Sequence, residues 1–384
     1  MRYDPKLSYW PIPLFLIFLF SFLSSSCIDP VAPEFEYREG LLFIEGFAST
    51  VPGASFVVIN ESSIEFGVYA VNFLSGASVN FENVGTGAVV ALNEVVGAYQ
   101  APSNFSAAAG ENWKLNITLA DGRTYESTPE EVLQAVPIDQ IEATYDPELA
   151  FRELDGGKFV PGHSLTVNFQ EPADPDNYYY WTYKTYENLD FCEKCTEGVF
   201  RNNECQAYPI GGRGRRYFDY TCDVQCWKIR FPESISILDD KFSNGKSITN
   251  LPIGDILLYT KENMVVEVQQ YSLTPAAYDY YKVLKDIVDN NSGLNAPPPA
   301  ALIGNLTNTG DPDEFVFGRF SAAATAVATL FIDRSAIQEP QLEPRDPIVQ
   351  EAFGDPLPDP ITTIAPCSET KFRTAITPPG WIEQ

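Results

Sequence analysis

The chain has 384 residues, with 25 Lys and Arg against 52 Asp and Glu, and a formal net charge of −27. So acidic a surface repels phosphate backbones and anionic headgroups, which excludes nucleic acid as a partner. A single histidine excludes two-histidine zinc motifs and His-rich metal centres.

Arg2 and Lys6 precede an almost wholly apolar run from Leu14 to Leu23, which gives way to Ser24, Ser25 and Ser26 just before Cys27. That layout predicts a cleavable signal peptide over residues 1–26. A spanning helix takes about 20 apolar residues, and Pro11 and Pro13 upstream with the serines downstream leave too short a run. The small residues before Cys27 resemble a bacterial lipobox, which implies a lipidated Cys27 as the new N-terminus. More than one acyl chain gives stable anchoring, so the expected state is membrane-tethered. Residues 27–39, with Pro30, Pro33 and no periodicity, read as the tether.

From Gly40 the pattern changes to short β-type runs. Leu41 to Gly46 and Ala77 to Asn83 alternate with period two, and Trp113 to Leu119 does so cleanly. Asp121-Gly122 supplies a hairpin turn before Thr124 to Ser127. About seven strands over residues 40–136 predict a small antiparallel sandwich. Pro129 to Pro137 is a linker candidate, and a second β-rich region is expected over 137–336.

That region opens on Ile138 to Thr144 and continues through Ser164 to Phe169 and Tyr178 to Tyr183. One helix is predicted over 275–290, with Thr274 as N-cap, Pro275 at its first position and an apolar stripe of Ala276, Tyr280, Val283, Leu284 and Ile287. Asp313 to Phe320 and Ala326 to Ile332 give the last strands. Residues 337–384 are proline-rich and aperiodic, a C-terminal strap. The fold class is therefore mainly β: an N-terminal sandwich, then a larger β-rich domain with one short helix and a cysteine-rich insertion over 191–227.

Setting Cys27 aside leaves Cys192, Cys195, Cys205, Cys222, Cys226 and Cys367. In an exported protein these favour disulfides, in one of 15 connectivities, and Cys367 must return to the cluster of the other five. Zinc is the competing reading, because Cys192-x-x-Cys195 and Cys222-x-x-x-Cys226 have ligand spacing. A redox-active Cys-x-x-Cys is a third, without the strand-to-helix context that motif needs.

Other chemistry is sparse. His163, in a Pro-Gly-His sequence, reads as a surface turn residue. Gly211-Gly212-Arg213-Gly214 lies in a loop and is no dinucleotide fingerprint, and Arg213, Arg215 and Arg216 make a basic hairpin tip. Asp174-Pro-Asp176-Asn177 and Asp311-Pro-Asp313-Glu314 read as Asx turns ahead of calcium loops. No cofactor or metal is expected. The aromatic run Tyr178, Tyr179, Tyr180, Trp181, Tyr183 and Tyr186 has two readings: an exposed platform, with Tyr178, Tyr180, Trp181 and Tyr183 as binding residues, or a strand buried on both faces.

Several motifs in order resemble one family: Cys27-Ile28-Asp29-Pro30, the Leu42 to Gly46 strand, the Asp121 to Ser127 hairpin, Asp176-Asn177-Tyr178-Tyr179, Ser272-Leu273-Thr274, Pro297 to Pro299 and Phe317-Gly318-Arg319-Phe320. They are similar to the Bacteroidetes lipoproteins grouped as domain of unknown function 4249. The resemblance implies an outer-membrane lipoprotein, on its periplasmic or cell-surface face, with an immunoglobulin-like N-terminal sandwich. It also implies a TonB-dependent outer-membrane transporter as partner, and it carries over no catalytic residues. The expected function is accordingly a non-enzymatic accessory of such a transporter, binding partner or cargo. A stand-alone glycan- or peptide-binding lipoprotein and a carboxylate-dependent hydrolase are the alternatives.

Overall fold

The segments of period-two alternation fold into strands, and the rest of the architecture comes from which strands meet. The structure, a computed structural model, describes residues 39–383 apart from 66–67, 154–155, 174–175, 191–194, 197, 202–203, 208–215, 218–224, 290–301, 303, 344–366 and 368. The predicted signal peptide, Cys27, the predicted tether to residue 38, Arg213 and Arg215, Pro297 to Pro299 and the side chains of Cys192, Cys195, Cys205 and Cys222 lie outside it. Residues Glu39–Gln384 form one compact unit.

β1 (Leu42–Ser49) and β2 (Phe56–Glu65) are an antiparallel pair. β3 (Ser78–Asn83) pairs with β4 (Asn112–Thr118), which turns into β5 (Thr124–Ser127). The turn works as Asp121-Gly122 predicts: Gly122 adopts φ 93°, and Asp121 Oδ1 accepts from the Arg123 N–H at 2.9 Å. Alternation puts Trp113, Leu115 and Ile117 inward, where they meet Ile44, Ile59 and Phe81 in one core. Two sheets thus close face to face as a sandwich.

Residues 140–273 supply β6 (Gln140–Arg152), β7 (Lys158–Gln170), β8 (Tyr178–Asp190), β9 (Gln225–Arg230), β10 (Ser247–Leu257) and β11 (Met264–Leu273). β7 lies between β6 and β10 in a three-stranded sheet, and β8 lies between β9 and β11 in the largest sheet. Leu165, Val167 and Phe169 of β7 pack against Tyr179, Trp181 and Tyr183 of β8, forming the second core.

α1 (Pro275–Asp289) begins as its sequence predicts, with Thr274 Oγ1 accepting from the Ala277 N–H at 3.3 Å. Its buried face differs from the predicted stripe: Ala276 is exposed, and Ala277, Tyr278 and Tyr281 are buried. The sheet beneath, presenting Phe47, Tyr180 and Tyr271, selects the aromatic side of the helix.

β12 (Leu306–Asn308) pairs with β5, and β13 (Val316–Ile332) joins the two cores. Its first half runs parallel to β1, Val316 opposite Leu42, and its second half runs antiparallel to β11, Ile332 opposite Met264. Leu306, Val316 and Phe320 therefore complete the first core, although they follow the second region in sequence. The change of core falls between Val132, in the first, and Val136, in the second. The sandwich nevertheless needs residues far beyond 136. β14 (Arg373–Thr374) lies at the far edge of the large sheet against β9, where Cys226 is bonded to Cys367.

Candidate functional site

The aromatic run is a buried strand. Tyr179, Trp181 and Tyr183 have 1%, 1% and 4% of their surface exposed, and their outward neighbours Tyr178 and Tyr180 are half-buried. Tyr180 stacks on Tyr281 of α1 at 4.5 Å, and Tyr178 lies 4.8 Å from Tyr278. Trp181 Nε1 donates to Gln270 Oε1, and the Tyr183 hydroxyl donates to the Asp255 carbonyl, each at 2.9 Å. The exposed platform of Tyr178, Tyr180, Trp181 and Tyr183 is thus corrected. The sheet takes one face and the helix covers the other, so alternation exposes neither.

The same pleat carries Thr185 and Glu187 inward after Tyr183, and there the apolar core gives way to charge. Glu187, wholly buried, accepts from Arg334 Nη1 at 3.1 Å and from Arg230 Nε at 2.9 Å. Arg230 Nη2 and Lys228 Nζ both reach Glu343 at 2.8 Å. This chain of five charged groups ties β8 and β9 to the segment after β13. Arg334 also donates from Nη1 to the Thr260 carbonyl at 3.1 Å. Burial disfavours its charge and the Glu187 carboxylate opposes that effect.

His163 is a correction. It lies within β7, 3% exposed and opposite Tyr145, whose ring packs edge-on at 5.3 Å. Gly162 and His163 continue the strand into Leu165, so no turn forms. Burial, with the Arg334 charge in support, pulls the His163 pKa down to about 4, so it is neutral at pH 7.

Beside the charged chain opens a cleft of about 450 Å³ between β10 on one side and β8 and β9 on the other. Tyr183, Ile256, Leu257 and Phe231 make its apolar walls, and Thr185, Arg230, Arg152 and Tyr259 its polar ones. The Arg230 guanidinium stacks 4.1 Å above the Tyr259 ring. The Tyr259 hydroxyl accepts from Arg152 Nη1 at 3.3 Å and donates to Glu233 Oε1 at 3.1 Å. Gly254 lets β10 approach, since a Cβ there would lie 2.7 Å from the Tyr183 ring. Glu153, Glu233 and Asp255 stand exposed at the rim, and burial of part of its surroundings raises the Asp255 pKa. Volume, apolar walls and a few fixed polar groups are the attributes of a small-molecule site.

Of these cleft residues, only Tyr183 is singled out by the sequence. The available signal was the inward register of Thr185 and Glu187, two polar residues continuing an alternation that begins Tyr179, Trp181, Tyr183. Cys226, bonded to Cys367, is unavailable to a zinc site with Cys222. Asp311 Oδ1 accepts from the Asp313 N–H at 3.3 Å, and Glu314 accepts from the Tyr125 hydroxyl at 3.0 Å, so that loop is an Asx turn. Among the described residues no group of three or more His, Cys, Asp or Glu is placed to hold a metal, and no helix is long and apolar enough to cross a membrane.

No curated protein and no solved structure matches the chain. Its residues 28–329 match the family described as Domain of unknown function (DUF4249). With most of its length so matched, the chain belongs to the DUF4249 family.

Proposed function

We propose that the protein is an exported, lipid-anchored binding protein of the outer membrane, serving a TonB-dependent transporter as an accessory that holds partner or cargo without catalysis. The observation that carries the export reading is the bond between Cys226 and Cys367, since such pairing persists in oxidising compartments. It agrees with the signal-like residues 1–26 and with Cys27 as lipid acceptor. The cleft beside Arg230 supports a binding role, and burial of Trp181 and Tyr183, with Tyr178 and Tyr180 packed against α1, counts against the aromatic platform that a stand-alone glycan binder would use.

Tethering in the transporter's own membrane raises effective concentration, so a modest interface suffices. The test is mild detergent solubilisation of the host membrane, affinity capture of the tagged protein and mass spectrometry of what accompanies it. A stoichiometric TonB-dependent barrel is expected. Recovery of the protein alone would overturn the accessory role.

A further inference from the structure

Two polar groups on the cleft floor have no partner among the described residues. Thr185, 1% exposed, has a hydroxyl that makes no hydrogen bond. Arg230 uses Nε on Glu187 and Nη2 on Glu343, which leaves Nη1. The two residues are directly opposed on β8 and β9, so their side chains share one face, with about 5 Å between Cβ atoms. A buried hydroxyl beside a guanidinium N–H matches a carboxylate, which accepts from both.

Charge around the cleft has a direction. At the buried end Arg230 and Arg334 outnumber Glu187 by one cation, and the more exposed Lys228 and Glu343 offset each other. At the exposed rim Glu153, Glu233 and Asp255 outnumber Arg152. A plain anion would suit only the floor, and a plain cation only the rim. Between them run the apolar walls of Ile256, Leu257 and Phe231. The complementary ligand has a carboxylate at one end, an ammonium at the other and an apolar body. At about 30 Å³ per water, 450 Å³ equals about fifteen waters, the bulk of a di- or tripeptide.

We infer that this cleft binds short peptides, the free C-terminal carboxylate on Thr185 and Arg230 and the N-terminal ammonium at the acidic rim. This deepens the binding role proposed above and rests on it, naming a cargo class for the cleft.

The test is calorimetric titration of the mature protein with the dipeptide Ala-Leu, its C-terminal amide and its N-acetyl form. Ala-Leu is expected to bind about tenfold or more tightly than either blocked form, since each leaves a charged group of the site unanswered. Thr185→Val keeps the shape and removes an unpaired hydroxyl, so it is expected to weaken Ala-Leu binding about fivefold or more with the unfolding midpoint unchanged or raised. No saturable binding of Ala-Leu at ~5 mM, or equal affinity for all three forms, would overturn the inference. So would full affinity in Thr185→Val. The titration contains no transporter, so its failure leaves the accessory role standing, and failed capture of a barrel leaves peptide binding standing.

Discussion

Glu187 and Arg334, both wholly buried, meet at 3.1 Å where the second core ends. A buried pair is a weak source of net stability, but removing one partner strands the other charge, at a cost of about 3–5 kcal/mol. Glu187→Ala is therefore expected to lose about that much in urea unfolding, because it also abandons Arg230. Glu187→Gln, which keeps an acceptor, should lose less. Equal stability of Glu187→Ala and the parent protein would show that the network does not hold the segment after β13.

His163 makes stability depend on pH in a definite direction. Its folded pKa, about 4, lies below the unfolded value of 6.5, so the unfolded chain binds more protons between those values. Its unfavourable contribution is absent above about pH 6.5, grows as pH falls and levels off below about pH 4, reaching about 3 kcal/mol. It is the chain's one histidine, so the imidazole C–H resonances in an NMR titration belong to it. A midpoint near 6.5 in the folded protein would contradict its burial. In His163→Leu the pH dependence over this window should flatten.

The Cys226–Cys367 bond spans 141 residues and both cysteines are buried, at 1% and 8% exposed. It holds the C-terminal strap where Trp381 packs edge-on to Trp227 and Phe331. Cys226→Ser is expected to cost about 2–5 kcal/mol. It should also make residues 369–383 susceptible to limited proteolysis. Peptide mapping without reductant should recover the two cysteines in one linked fragment, and recovery of Cys226 with a different cysteine would refute the pairing.

Local pattern made the Asp121-Gly122 hairpin, the Trp113 to Leu119 alternation and the Thr274-Pro275 helix start legible, because each depends on residues within a few positions. The parallel meeting of β1 with β13 was not legible: Leu42 and Val316 are brought together by tertiary packing, and neither strand signals its partner. Gly318 marks the contact only afterwards, with φ 97° and a Cβ position that would overlap the Ile44 carbonyl oxygen. His163 was misread because a Pro-Gly dipeptide normally signals a turn, whereas pairing with both β6 and β10 holds it extended. The cleft was hidden for the same reason as the β1–β13 contact, since Thr185, Arg230 and Ile256 come from three separate strands.

Trp181 separates a buried strand from a binding platform by stability alone. An exposed tryptophan on a platform is truncated at little cost to the fold. Here its ring packs among Phe169 and Tyr179, and its Nε1 donates to Gln270, whose amide in turn donates to the Val136 carbonyl at 2.8 Å. Trp181→Ala opens a cavity and leaves the Gln270 oxygen without its donor, so about 3–5 kcal/mol should be lost in chemical denaturation. Trp181→Phe keeps most of the volume and loses only the donor, for which about 1–3 kcal/mol is expected. If Trp181→Ala unfolded at the parent denaturant concentration, the ring would have to face solvent, and the covered strand beneath α1 would be wrong.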